Sequence, residues 1–280
     1  MFTAPEQAVR DRMISARGHA CALLGLDGTA GGEVWGYAGR TLSGAVNTPE
    51  GASWLRLVSE PESKSGGKLW DGPKEAERSV PPAVPRPQLL DLRDWSADGW
   101  DYRAEHYEIV ETPPVSRSPV LQHCADLPET WWKDLRQALD HIALVRTGRQ
   151  AVREEYIRRR VPEFTGVTPG EIGWTTAHGD MHWANITGPA LVFLDWEGWG
   201  TAPLGYDAAN LYLHSLPVPE VAERIRKEFA HVLHTPAGRV GELTACTEIL
   251  QAAARVPFYA DLADGVRQHL YHLKMTAPGA

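Results

Sequence analysis

His178, Asp180, His182 and Asn185 fall within one short stretch, TTAHGDMHWANI (residues 175–186), and Asp195 closes the apolar run of VFLDWEGWG (residues 192–200). Residues of these types can do three kinds of work. His178, Asp180 and His182 alternate, so an extended backbone would turn all three to one side. Imidazole and carboxylate ligate zinc, and a catalytic zinc needs three protein ligands and one open position; a zinc hydrolase is therefore one reading. In a second reading the histidines are structural: His178 packs under its loop against backbone, and His182 is an exposed or capping residue. That leaves the spacing of Asp180, Asn185 and Asp195 unexplained. The third reading is phosphoryl transfer. It needs an aspartate that accepts a hydroxyl proton, an asparagine a few residues on that holds magnesium, and a second aspartate on the metal that bridges the nucleotide phosphates. Asp180, Asn185 and Asp195 stand in that order, the last after the apolar LVFL.

The elements that must position these residues change character along the chain. Residues 1–26 carry apolar positions at helical spacing, Val9, Met13, Ala16 and Ala20 among them. From 33 to 60, short alternating runs broken by glycines predict three antiparallel strands, the last two joined by a turn at 47–51. A polar Gly/Ser/Lys loop is expected at 61–73, a short helix at 74–79 and an extended proline-rich segment at 80–88. QLLDLRDW and YRAEHYEIVE add two candidate strands, and the proline cluster at 112–119 marks a boundary. Beyond it the text is helical, with Trp131, Leu135, Leu139 and Ile142 on one stripe. Three closing helices are expected near 217–234, 239–256 and 260–273. The fold class is α+β in two lobes, residues 1–111 rich in strands and residues 112–280 helical.

Composition narrows the partners. A chain of 280 residues, 43% apolar and 23% charged, can bury a full core. A net charge of -8 argues against nucleic acid, which wants a basic face. No apolar run approaches the ~20 residues of a membrane span, and the N-terminus lacks a signal-peptide layout. Three cysteines far apart suggest neither a disulfide framework nor a zinc ribbon. A cytoplasmic protein, monomer or homodimer, is expected.

HGDMHWAN followed by LDWE resembles the catalytic loop and metal motif of the aminoglycoside phosphotransferase family, and APLGYDAANLY (residues 202–212) resembles the stretch that follows them there. The resemblance implies a bilobal protein-kinase-like fold and transfer of the γ-phosphate of ATP, with GTP left open, to a hydroxyl of a small molecule. Asp180 would be the base, His178 the brace of its loop, Asn185 and Asp195 the magnesium ligands, and Asp207 a loop-holding residue. It further implies that the hairpin of residues 36–44, with Ser43 and Gly44, lies over the phosphates. Arg56 stands where the family has a phosphate-binding lysine; Lys64 or Lys68 is the alternative, and Glu75 or Glu77 the partner of Arg56. The connector at 105–111, with Glu108 and Val110, would meet the purine, whose apolar walls would include Leu42, Val46 and Leu55. Glu197, Trp196, Trp199, Asp261 and Asp264 are candidates for holding the acceptor. A cationic antibiotic, an aminoglycoside or basic peptide, leads as acceptor; a metabolite kinase and a nucleotide-binding pseudokinase remain alternatives.

Overall fold

Strand-forming residues dominate the first part of the chain. A computed structural model describes residues 4–28, 32–64 and 66–275. The chain divides into two compact units, Met1–Glu77 with Arg86–Glu111, and Arg78–Pro85 with Thr112–Ala280.

In the first unit, helix α1 (Gln7–Leu24) ends where Gly25 turns left-handed at φ 66° and its N–H caps the last turn. Strands β1 (Val34–Trp35), β2 (Thr41–Thr48), β3 (Gly51–Pro61), β4 (Leu89–Ala97) and β5 (Trp100–Glu108) form one antiparallel sheet in the order β1-β2-β3-β5-β4. The period of two sorts its faces. Leu42, Val46, Leu55, Leu57, Tyr102 and Ala104 are sealed against Met13, Ala16, Ala20 and Cys21 of α1. Ser43, Arg56 and Glu105 have the opposite parity and follow one another across the register, Ser43 opposite Arg56 and Arg56 opposite Glu105.

Helix α2 (Lys68–Ser79) starts well before the expected residue 74 and runs through Pro73. Its early start is anchored by Trp70, which is buried and carries the Arg103 guanidinium 4.8 Å from its ring centroid. The side chain of Lys68 lies outside the described residues.

The second unit is helical around a two-stranded ladder. It contains α3 (Glu129–Ala143), α4 (Glu154–Thr165), β6 (Trp174–Ala177), β7 (Gly200–Pro203), α5 (Tyr206–Leu213), α6 (Pro219–Glu228), α7 (Ala230–Leu233), α8 (Pro236–Ala253) and α9 (Pro257–Met275). The single helix expected over 217–234 is interrupted at Phe229, and α8 begins earlier than expected because Thr235 caps it, its hydroxyl accepting from Gly238 N at 2.9 Å. Trp131 of α3 stacks on Trp183 and donates its indole N–H to Thr187 O at 2.8 Å, while the Trp183 indole donates to Ser215 Oγ at 2.8 Å. These bonds moor residues 183–187 to α3 and to the turn that follows α5. Among the described residues no helix is long and apolar enough to cross a membrane.

Candidate active site

Strand β6 ends at Ala177 and delivers His178, Gly179 and Asp180 into a tight loop. Gly179 adopts φ +84°, and a Cβ there would stand 2.6 Å from Gly198 O, so no larger residue fits. The loop is gripped from beneath by Asp207, in the first turn of α5. Its Oδ2 accepts from His178 N at 2.6 Å and its Oδ1 from Gly179 N at 3.0 Å. Burial raises the Asp207 carboxyl to about 6 in spite of these two bonds, and the nearby Asp180 charge adds to the rise.

A narrow hairpin sets the second aspartate beside the loop. Thr187 N donates to Val192 O, Leu194 N donates to Asn185 O, and Ile186 bridges Phe193. The apolar run before Asp195 is thus one arm of this hairpin rather than an independent strand, and Asp195 follows the residue bonded to Asn185. Asp195 takes φ +58°, a left-handed conformation that aspartate tolerates better than most residues. His178 ties loop and hairpin together: its Nε2 lies 2.8 Å from Leu194 O. A carbonyl only accepts, so Nε2 carries the proton. Burial depresses the imidazole to about 4, which keeps it neutral.

Asn185 completes the set. Its Nδ2 donates both to Asp180 O at 2.9 Å and to Asp180 Oδ2 at 3.1 Å, which leaves Oδ1 as the oxygen able to face a cation. Half of the Asp180 side-chain surface stays open, and His182 Nε2 lies 3.6 Å from its Oδ2. The protein packed around Asp180, and then the Glu197 charge, raise its carboxyl to about 6, against the pull of the Asn185 bond. An amide oxygen and a carboxylate are the hard donors that magnesium prefers, so Asn185 and Asp195 fit that ion. Zinc fits poorly: the His178 Nε2 is committed to a carbonyl, and among the described residues no group of three or more His, Cys, Asp or Glu side chains could hold a metal.

The acceptor candidates separate. Glu197 is partly exposed and within electrostatic reach of Asp180. Trp196 and Trp199, expected as flat walls for an acceptor, are instead core: Trp196 is buried edge-on against His178, and Trp199 is fully buried with Arg149 over its ring. Their indoles fill the floor under the loop, which removes them from the accessible surface. Asp261 and Asp264 stand exposed on α9, and Asp264 pairs with Arg267 at 2.6 Å. Two tyrosines outside the set of acceptor candidates come within electrostatic reach of Asp180. The Tyr206 and Tyr259 hydroxyls are both raised, by burial first and further by charges that include Asp180 and Glu248. Tyr206 donates to Glu248, and the Tyr259 hydroxyl lies 3.4 Å from His214 Nε2.

In the first unit, Arg56 Nη1 donates to Glu105 Oε2 at 3.0 Å, a partner on the neighbouring strand that the sequence does not signal. Glu77 is engaged by the Leu89 amide and lies 3.7 Å from Arg86. Ser43 lies opposite Arg56, whereas Gly44 belongs to the α1 side, where a Cβ would stand 3.0 Å from Gly32 O. Leu42, Val46 and Leu55, expected as purine walls, face the α1 core and are closed to any ligand; the parity of the strands is one residue off from that expectation. The Glu108 amide donates to Gln88 O at 3.1 Å, and Val110 lies beyond the end of β5.

Known structures share this architecture. The aminoglycoside phosphotransferase APH(4)-Ia superposes with a TM-score of 0.63 at 13% identity, over 95% of this chain and 99% of that one. A thermostable mutant of that enzyme, in ternary complex with ADP and hygromycin B, gives 0.62 at 13% identity over 95% and 100%. A microcompartment-associated aminopropanol kinase gives 0.62 at 12% identity over 93% and 98%. No protein-family model matches the sequence, and no curated protein does. At such identities the likeness is one of architecture: the chain has the bilobal, protein-kinase-like α+β fold of the aminoglycoside phosphotransferases.

Proposed function

We propose that this protein is a small-molecule kinase that transfers the γ-phosphate of ATP to a hydroxyl with the help of magnesium. The observation that carries the reading is the pair of hydrogen bonds that the Asn185 amide donates to Asp180, formed where the Asn185 carbonyl also accepts from the amide of Leu194, the residue before Asp195. Phosphoryl transfer asks for that trio: a base, an amide oxygen and a carboxylate, held rigidly by backbone. Asp180 takes the proton of the acceptor hydroxyl as its oxygen bonds to the γ-phosphorus, and the bond from phosphorus to the β,γ-bridging oxygen breaks to release ADP. A bound magnesium supplies neutralisation of the phosphate oxygens, and Asn185 and Asp195 would hold it. His178 keeps the loop on the hairpin, and Arg56 contacts the phosphates in place of a lysine.

An amine-bearing alcohol is the acceptor class we favour. The Glu197 carboxylate acts on Asp180, Glu248 and Asp180 both act on the Tyr259 hydroxyl, and this negative field would attract an ammonium group. The similar structures include an aminoglycoside phosphotransferase and an aminopropanol kinase, whose names denote amino alcohols. An aminoglycoside, with resistance by inactivation, heads that class. The test is a mass-spectrometric screen of aminoglycosides and simple amino alcohols with ATP and magnesium, in which a mass gain of one phosphate is expected. ATP binding without transfer to any member would instead favour the pseudokinase reading that the arginine at position 56 motivates.

Asp195→Ala removes the only charged member of the metal pair. Thermal-shift titration should then show the stabilisation by Mg·ATP lost, while ATP without magnesium behaves as with the parent. Undiminished Mg·ATP stabilisation would remove Asp195 from the metal.

A further inference from the structure

The first unit holds an ion pair that the catalytic trio does not explain. Arg56 on β3 and Glu105 on β5 are direct partners in the antiparallel register, which puts their side chains side by side on one face of the sheet. The Arg56 guanidinium donates to Glu105 Oε2 at 3.0 Å, and the side chains are 13% and 1% exposed. Tyr107, two residues along the same face, donates its hydroxyl to the same oxygen at 3.1 Å. A buried pair of this kind is a poor device for stability, because desolvation cancels most of its attraction and an apolar pair would pack as well. What it does achieve is orientation: a planar guanidinium gripped at one nitrogen cannot swing about its long stem.

We propose that Glu105, steadied by Tyr107, is a positioning residue for nucleotide binding, fixing the plane of the Arg56 guanidinium against the phosphates. The proposal rests on the kinase reading and deepens it. In protein kinases the corresponding lysine is held by a helix glutamate, so its geometry depends on where that helix sits. A partner on the adjacent strand of the same sheet instead builds the grip into the rigid ladder. Arginine suits this arrangement better than lysine, because one end of its fork can be held while its plane stays defined.

The test uses the full chain and measures Mg·ATP affinity by calorimetry alongside steady-state kinetics with an identified acceptor. Glu105→Gln keeps the shape and removes the charge. It should weaken ATP binding and raise the KM for ATP about tenfold, within the coupling that charge networks show, while the KM for the acceptor stays unchanged. Tyr107→Phe should weaken ATP binding by roughly two- to threefold, in line with loss of one hydrogen bond in a network. Glu105→Asp, which keeps the charge, should recover part of the affinity lost in the Gln variant. A Gln variant that binds ATP like the parent overturns the positioning role and leaves the kinase reading intact. A parent chain that fails to bind Mg·ATP overturns both. If the Gln variant does not fold, Tyr107→Phe decides, and unchanged ATP affinity there overturns the proposal.

Discussion

Asp180→Asn is expected to lower turnover by about 10²–10⁴-fold, the usual contribution of a positioned general base, with Mg·ATP affinity close to that of the parent. The replacement is nearly isosteric, and its side-chain oxygen can still accept from the Asn185 amide that now bonds Asp180 Oδ2. The loop, the brace through His178 and the hairpin below it should therefore persist, and what vanishes is a carboxylate able to take a proton. Two features suit Asp180 to that task. Half of its side-chain surface is open, so a hydroxyl can reach it. Its carboxyl is raised to about 6, by partial desolvation from the protein packed around it and then by Glu197, which leaves it ionised at neutral pH yet near the range where proton transfer is most efficient. Single-turnover phosphorylation of an accepted amino alcohol, followed beside calorimetric Mg·ATP binding, separates the two effects. Turnover near the parental rate would show that Asp180 is not the base; parallel loss of turnover and Mg·ATP binding would move it into the metal site.

Much of the candidate site is legible because it is local. The separation of Asp180 and Asn185 needs only one loop to bring the amide onto the carboxylate, and the hairpin that adds Asp195 closes within ten residues. The division into a strand-rich and a helical part is legible for a similar reason, since the period of the apolar residues changes near the proline cluster. What stays hidden depends on partners distant in sequence. Alternation shows that Leu42, Val46 and Leu55 share a face but not which face, and α1 claims that face. Glu105 meets Arg56 across 49 residues through a register that no spacing announces. Trp196 and Trp199 read as ligand walls because flat side chains beside a motif suit either role; His178 and Arg149 packed on their rings decide for the core. Tyr259 approaches the site from α9, a helix without any motif.

Asp207→Asn should reverse its effect on stability with pH. Asp207 accepts two backbone N–H groups, and an asparagine can accept only one and turns an NH₂ toward the other. That loss costs about 1–3 kcal/mol wherever the aspartate is not penalised. The penalty appears on ionisation. The folded carboxyl titrates near 6 against an ordinary value of 3.8, so the native state binds the proton more tightly than the unfolded chain does. Stability from this group is complete below the unfolded value and is lost as pH rises through the folded one. A rise of about two units corresponds to roughly 3 kcal/mol at most, and to roughly 2 kcal/mol between about pH 4.5 and pH 8. The asparagine variant is exempt from that loss. It should be clearly less stable than the parent near pH 4.5 and close to it, or above it, near pH 8, while turnover stays impaired at both because the loop under Asp180 is held by one bond instead of two. Urea unfolding of the two proteins at both pH values measures the difference directly; titrating groups distant from Asp207 cancel in it, and Asp180, which acts on Asp207, contributes to what remains. A stability gap that does not change with pH would mean that Asp207 is not the strained, buried carboxylate described here.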